Sequence, residues 1–283
     1  MKFMNLPEEY SGKESRYYIL PIEYEGNMTG GKGASQGSQK IIEASYQLEY
    51  YDEIFGIEPF ERGIHLLEPL RLNDCKPEDA MLKISEEISK HEKFVLSLGG
   101  DHSVTIGVLK GLEKKHNSFS VIVFDAHADL FYSWNGSRYN HRCVTRYASI
   151  NHKVGVIGLR SLDKEEASLI EKSESIEAYY NHENKSNISK IVDNMDENVY
   201  ISIDVDVFDP AFIRCTGTPE PGGFSWDSMI ESLKHIFETK NVIGVDIVEF
   251  SPREDSTVEA YSLAKLIYKI IAMKEKVTNE KSK

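Results

Sequence analysis

The stretch VFDAHADL sets Asp125, His127 and Asp129 at every second position behind an apolar run. Two further segments end in the same kind of chemistry: SLGGDHS brings Asp101 and His102, and ISIDVDVFDP brings Asp204 and Asp206 two apart. Alternate residues of a β-strand point to one side, so a strand that persisted through DAHAD would place two carboxylates and an imidazole on one face. Asp125, Asp129, Asp204 and Asp206 cannot stay ionised beside one another in a crevice without a compensating cation, which predicts a metal site completed by His102 and His127. An oxygen-rich set with two imidazoles and no thiolate suits Mn²⁺ better than tetrahedral Zn²⁺. Six side chains are too many for one tetrahedral ion and suit two ions about 3.5–4 Å apart that activate a shared water, so hydrolysis is the expected reaction. Alone, a DxD pair caps a helix or closes a turn as readily as it binds metal, and GGDH alone reads as a glycine turn before a helix. Three polar groups on one strand face have no such structural use.

Each cluster follows a short apolar run. Runs beginning at Tyr17, Phe94, Phe119, Lys153, Asn198 and Asn241 read as buried strands of a parallel sheet. Between them, segments from Pro77, Thr105, Lys164 and Ser225 carry helical spacing with one polar face. Strand and helix alternate, so the class is α/β, and the clusters fall where such a sheet places its ligands, outside the carboxyl ends of its strands. The glycine loop TGGKGASQGS, with Gly30, Gly31, Gly33 and Gly37, precedes a helix-like segment from Gln39 to Glu53 and lacks the GK-Ser/Thr of a phosphate loop.

The 283 residues suit a single domain over 1–283 with an ample core and a polar ending, from about residue 275, that is expected to fray. No run approaches a membrane span, and the N-terminal segment has no signal-peptide core, so a cytoplasmic protein is expected. Cys75, Cys143 and Cys215 form no CxxC pair and are expected to stay reduced. A net charge of −13 without Lys/Arg clusters excludes a nucleic-acid partner and fits a small cationic substrate.

GGDH, DAHxD and SIDxDxxDP, in this order and at these separations, resemble the ureohydrolase (arginase and agmatinase) superfamily over most of the chain. The glycine loop, TGTPEPGG from Thr216 and GVDIVEFSP from Gly244 are similar to further family segments. The resemblance implies a three-layer α/β/α, arginase-like fold with a mostly parallel central sheet, two Mn²⁺ per subunit, and a trimer or hexamer. It implies one manganese on His102, Asp125, Asp129 and Asp204 and the other on His127, Asp125, Asp204 and Asp206, with a bridging hydroxide attacking the guanidinium carbon. By the same carry-over Asp129 orients the nucleophile, His141 shuttles a proton to the leaving amine, and Glu249 grips the guanidinium. Thr218 and Phe131 complete the expected substrate contacts.

The sequence departs from the family pattern at Arg142, where a small residue usually follows the histidine, and at Arg214–Cys215, where Pro-Gly is usual. Arginases resemble one another in an Asn two residues after DAHxD and a Ser-Gly-Asn before the shuttle histidine. Here Phe131 holds the first position and LFYSWNGSRYNH lacks the second. An aromatic loop with Phe131, Tyr132 and Trp134 suits a tail without a carboxylate, such as that of agmatine, which would yield putrescine and urea; its free amine could meet the rings by cation–π contact. The alternatives are a guanidinobutyrase or arginase, a non-catalytic metal-binding subunit, or a dimetal phosphoesterase using Arg142, Arg160 or Arg214.

Overall fold

A computed structural model describes residues 1–26, 32–182 and 186–281, apart from the side chains at 186, 187 and 279–281. The strands are β1 (Tyr17–Glu23), β2 (Ile64–Leu66), β3 (Leu70–Arg71), β4 (Phe94–Leu98), β5 (Ser120–Phe124), β6 (Val154–Leu159), β7 (Ile176–Tyr180), β8 (Asn198–Asp204) and β9 (Asn241–Val248). They pair in the order β2-β1-β4-β9-β8-β5-β6-β7, with β3 beside the end of β1. Every pairing is parallel, and the central strands are apolar on both faces, as a sheet covered on both sides requires.

The helices are α1 (Gly37–Ala44), α2 (Pro77–Ser89), α3 (Val104–Leu112), α4 (Val144–Asn151), α5 (Lys164–Lys172), α6 (Ser186–Asn194), α7 (Trp226–Thr239) and α8 (Thr257–Lys281). Two hydrophobic clusters divide them. One joins α1, α6, α7 and α8 to one sheet face, and the other joins α2, α3, α4 and α5 to the opposite face. The result is the three-layer α/β/α arrangement expected. Connections leave β5 toward β6 and leave β8 toward β9, so the strand order reverses between β5 and β8, and a crevice opens there.

The structure corrects three local expectations. Strand β5 stops at Phe124, so Asp125, His127 and Asp129 lie on the loop beyond it, not along one strand face. The backbone turns instead: the His127 N–H donates to Asp125 Oδ1 at 2.6 Å, and Asp129 adopts a left-handed φ of 49°. The helix expected from Gln39 to run on toward Glu53 ends at Ala44. The polar ending expected to fray from about 275 continues as α8 through Lys281. Glu275 anchors it, buried and paired with Arg16 at 3.2 Å and Arg62 at 3.0 Å, while Tyr17 donates its hydroxyl at 2.7 Å. Gly30 and Gly31 lie outside the described residues. Gly37 opens α1 where a Cβ would strike the Phe250 carbonyl, and Gly100 packs against the Tyr24 carbonyl with no room for a side chain.

Candidate metal centre

Strands β4, β5, β8 and β9 deliver the acidic and imidazole side chains to one crevice. Behind β4, His102 is fully buried with Nδ1 3.2 Å from Asp125 Oδ2, 3.1 Å from Asp129 Oδ2 and 3.4 Å from Asp204 Oδ2. Behind β5, His127 Nδ1 lies 2.9 Å from Asp206 Oδ2 and 3.5 Å from Asp125 Oδ1. Asp125 therefore turns one oxygen to each imidazole. Donor atoms of His102, Asp125 and Asp129 converge in one group, and those of Asp125, His127 and Asp206 in a second. Asp204 stands beside the first group, its Oδ1 accepting the Asp206 N–H at 2.9 Å as it caps a short 3₁₀ turn, Val205–Val207.

Protein groups alone leave this cluster unsatisfied. His102 Nδ1 and Asp125 Oδ2 are buried and make no aligned hydrogen bond, although buried polar atoms nearly always find one. Burial and the repulsion of Asp206 and Asp125 hold the Asp204 carboxyl well above the usual range, and burial with Asp125 pushes Asp129 up to about 6. Burial would lower both imidazoles, but the surrounding carboxylates outweigh it, raising His102 well above its usual value and His127 to about 12. Protons thus neutralise the cluster where cations would serve better, and the donor set fits a pair of divalent ions.

His102 is held from behind. Its Nε2 lies 3.0 Å from Ser202 Oγ, which donates to Asp246 Oδ1 at 2.6 Å, while Thr105 and Tyr200 hydroxyls donate to Asp246 Oδ2 at 2.8 and 2.6 Å. With the serine proton given to Asp246, Oγ accepts from Nε2–H, which leaves Nδ1 to face the carboxylates. On the other side, the Arg160 side chain donates to main-chain oxygens of Gly158, Asp206, Glu220 and Pro221, fastening the loop after β8 to β6.

A cavity of about 270 Å³ opens above the cluster. Asp129, Asp204, Asp206, His141, Thr218 and Glu249 all line it. The Glu249 carboxylate accepts the His102 N–H at 2.7 Å, and its pKa is well above normal through burial and then the nearby Asp204 and Asp101 carboxylates. Asp129 and Glu249 are two of five non-glycine residues with positive φ among those described, at 49° and 67°, a strain found where function fixes a side chain. Thr218 Oγ1 reaches Asp206 Oδ2 at 3.5 Å. Burial and then the His102 and Arg142 charges push His141 down to about 4, so its ring is neutral near pH 7.

Phe131 stands differently from its expected place. It does not line the cavity; its ring is covered by the Arg142 guanidinium at 4.4 Å, and Trp134 by the same group at 4.2 Å. The cation on these rings is thus the chain's own. Of the three arginines a phosphoesterase could use, Arg142 lines the cavity, Arg160 is consumed by carbonyls, and Arg214 pairs with Glu259 at 2.7 Å and Asp255 at 3.0 Å.

Sequence reading missed Ser202 and Asp246, the Arg160 fastening, and Glu166. Glu166 lines the cavity and accepts the Leu130 N–H at 2.9 Å and the Asp163 N–H at 2.8 Å. Its signal was present: Asp163 and Glu166 form a capping box at the start of α5.

The arginase family model matches residues 15–273. The chain belongs to the arginase family. It is a ureohydrolase, a hydrolase acting on C–N bonds, in a family whose members bind a dinuclear metal site. It is 33% identical to an N(1)-aminopropylagmatine ureohydrolase from Synechocystis sp., covering 95% of each chain. It is 35% identical to an agmatinase from Pyrococcus horikoshii, over 92% of this chain and 93% of that one. Among solved structures, the agmatine ureohydrolase of Thermoplasma volcanium superposes with a TM-score of 0.85 at 27% identity, over 99% of this chain and 96% of the other.

Proposed function

We propose that this ureohydrolase cleaves agmatine to putrescine and urea with two Mn²⁺. The observation that carries the reading is Asp125, whose two oxygens serve two separate His/Asp groups beneath a cavity that also holds Glu249. His102, Asp125, Asp129 and Asp204 would hold one ion, and His127, Asp125, Asp204 and Asp206 the other. When bound, the pair supplies a water made nucleophilic near neutral pH and positive charge that offsets the carboxylates.

The remaining work falls to this chain's residues. Glu249 meets the guanidinium, whose charge returns the carboxyl to its ionised form and whose planar donors suit a carboxylate. Asp129 accepts the proton that the attacking water loses and orients its oxygen. His141, neutral near pH 7, takes that proton up at its ring and gives it to the leaving amine, and its low pKa makes it a strong donor once charged. Thr218 steadies Asp206 at the cavity wall. The missing arginase-type tail contacts favour agmatine over arginine. A second reading, N(1)-aminopropylagmatine, is favoured by the names of several relatives. A homo-oligomer, trimer or hexamer, belongs to the same proposal. No helix among the described residues is long and apolar enough to cross a membrane.

The test is urea release by the Mn²⁺-loaded protein from agmatine, L-arginine and 4-guanidinobutyrate measured side by side. Urea from agmatine in clear excess is expected. Urea from arginine or guanidinobutyrate instead would overturn the tail assignment, and metal binding without urea from any guanidino compound would overturn the reaction.

A further inference from the structure

Beyond the metal-facing acids and Glu249, the cavity wall carries three charged side chains: Arg142, Asp163 and Glu166. Arg142 is fixed from several directions. Its guanidinium lies over Phe131 and Trp134 at 4.4 and 4.2 Å, and Nη2 is 3.7 Å from Asp163 Oδ2. Its main chain is tied down as well, the carbonyl accepting the Phe131 N–H at 3.1 Å and the N–H donating to Asn140 Oδ1 at 3.1 Å. The rings themselves are set by a two-residue turn: Trp134 and Ser137 exchange main-chain hydrogen bonds, with Asn135 and Gly136 at φ of 48° and 80°. Glu166 accepts two main-chain N–H groups, which fix the position of its carboxylate in the wall.

This part of the wall therefore holds one positive and two negative charges, a balance that complements a single ammonium. A tail with two ammonium groups leaves one cation uncompensated beside Arg142. We propose that Arg142 is a specificity-determining residue that confines the site to guanidino substrates with a singly charged amine tail and disfavours doubly charged ones such as N(1)-aminopropylagmatine. This rests on the guanidino-hydrolase reading. Replacing Arg142 by a neutral residue makes the wall doubly negative and suits it to the longer polyamine. One such like-charge repulsion, at an effective dielectric between that of a protein surface and that of water, weakens binding by about tenfold.

The experiment measures kcat/KM for agmatine and N(1)-aminopropylagmatine, and equilibrium binding of the amine product of each by calorimetry, for Mn²⁺-loaded wild type, Arg142→Gln and Arg142→Lys, with thermal unfolding as a folding check. Wild type is expected to prefer agmatine. Arg142→Gln should shift both the kinetic and binding ratios about tenfold toward the longer amine, whereas Arg142→Lys, which keeps the charge, should stay within about threefold of wild type. Unchanged ratios in Arg142→Gln, or an equal shift in Arg142→Lys, overturn the role of Arg142. A binding ratio that moves as expected with no urea from either compound supports that role and overturns the agmatine reaction, so the two failures are distinct.

Discussion

Ser202→Ala tests how the metal centre is held. The Ser202 hydroxyl accepts from His102 Nε2 at 3.0 Å and donates to Asp246 Oδ1 at 2.6 Å, all three groups being buried. Its removal leaves a buried ring N–H without its acceptor and takes one of three hydroxyl donors from Asp246. Each unpaired group costs about 1–3 kcal/mol, so the metal-free fold should lose about 2–6 kcal/mol in urea unfolding. The imidazole also loses the partner that fixes its ring, and outer partners of this kind are worth about 10–100-fold in metal affinity. Because His102 belongs to only one of the two donor groups, calorimetric titration of chelator-stripped protein with Mn²⁺ should show one weakened site and one near wild type. Thr105→Val is the control. It removes another donor from Asp246 without touching the His102 ring, and should lower stability while changing metal affinity less than about threefold. Ser202→Ala with both affinities within threefold of wild type would refute the orienting role. An equal loss in both variants would mean that general loosening, not the His102 contact, sets affinity.

Chelation should make stability strongly pH-dependent. Without metal, His127 is raised from its ordinary value to about 12 and Asp129 to about 6, so the stability these protonated groups lend is complete below their unfolded pKa values and is lost as pH rises through the folded ones. Metal binding expels those protons, so the gap in Tm between loaded and stripped protein should widen from pH 6 to pH 9; a constant or shrinking gap contradicts the charge balance. Glu249→Gln keeps a carbonyl oxygen for the His102 N–H but loses the charge for the guanidinium. Metal content should hold while kcat/KM falls about 10–100-fold, and normal turnover removes the clamp role. Asp129→Asn should lose both metal affinity and turnover, as measured by metal analysis and urea release. Burial pushes the Cys143 thiol up to about 11 and also raises Cys215, so a thiol reagent should label the partly exposed Cys75 first and all three cysteines only in denaturant.

Much of the architecture is legible in the sequence. The strands around Leu96, Val123, Ile201 and Val245 and the helices α2, α5 and α7 follow from periodicity, because a doubly covered parallel sheet needs continuous apolar runs and its helices need one polar face. Helix α8 was missed because it is polar at its end and carries Lys269 and Glu275 inward. Only their partners, Asp52 and Glu53 for the lysine and Arg16 and Arg62 for the glutamate, make those charges acceptable in a core.

The convergence of His102, Asp125, His127, Asp129, Asp204 and Asp206 was legible because residue type and order at successive strand ends reflect one chemistry. The route by which they meet was not. A period of two predicted a strand face, whereas a left-handed turn at Asp129 and the main-chain bonds of Asp125 and Asp204 present the carboxylates. Phe131 and Arg142 show the same division. Sequence named an aromatic loop and an unusual arginine, but only the folded chain lays one over the other and turns the charge into the cavity. Type and order are local properties of the sequence. Which group satisfies which depends on contacts between distant segments, such as Ser202 with His102 and Glu166 with Leu130, and those are fixed only when the layers pack.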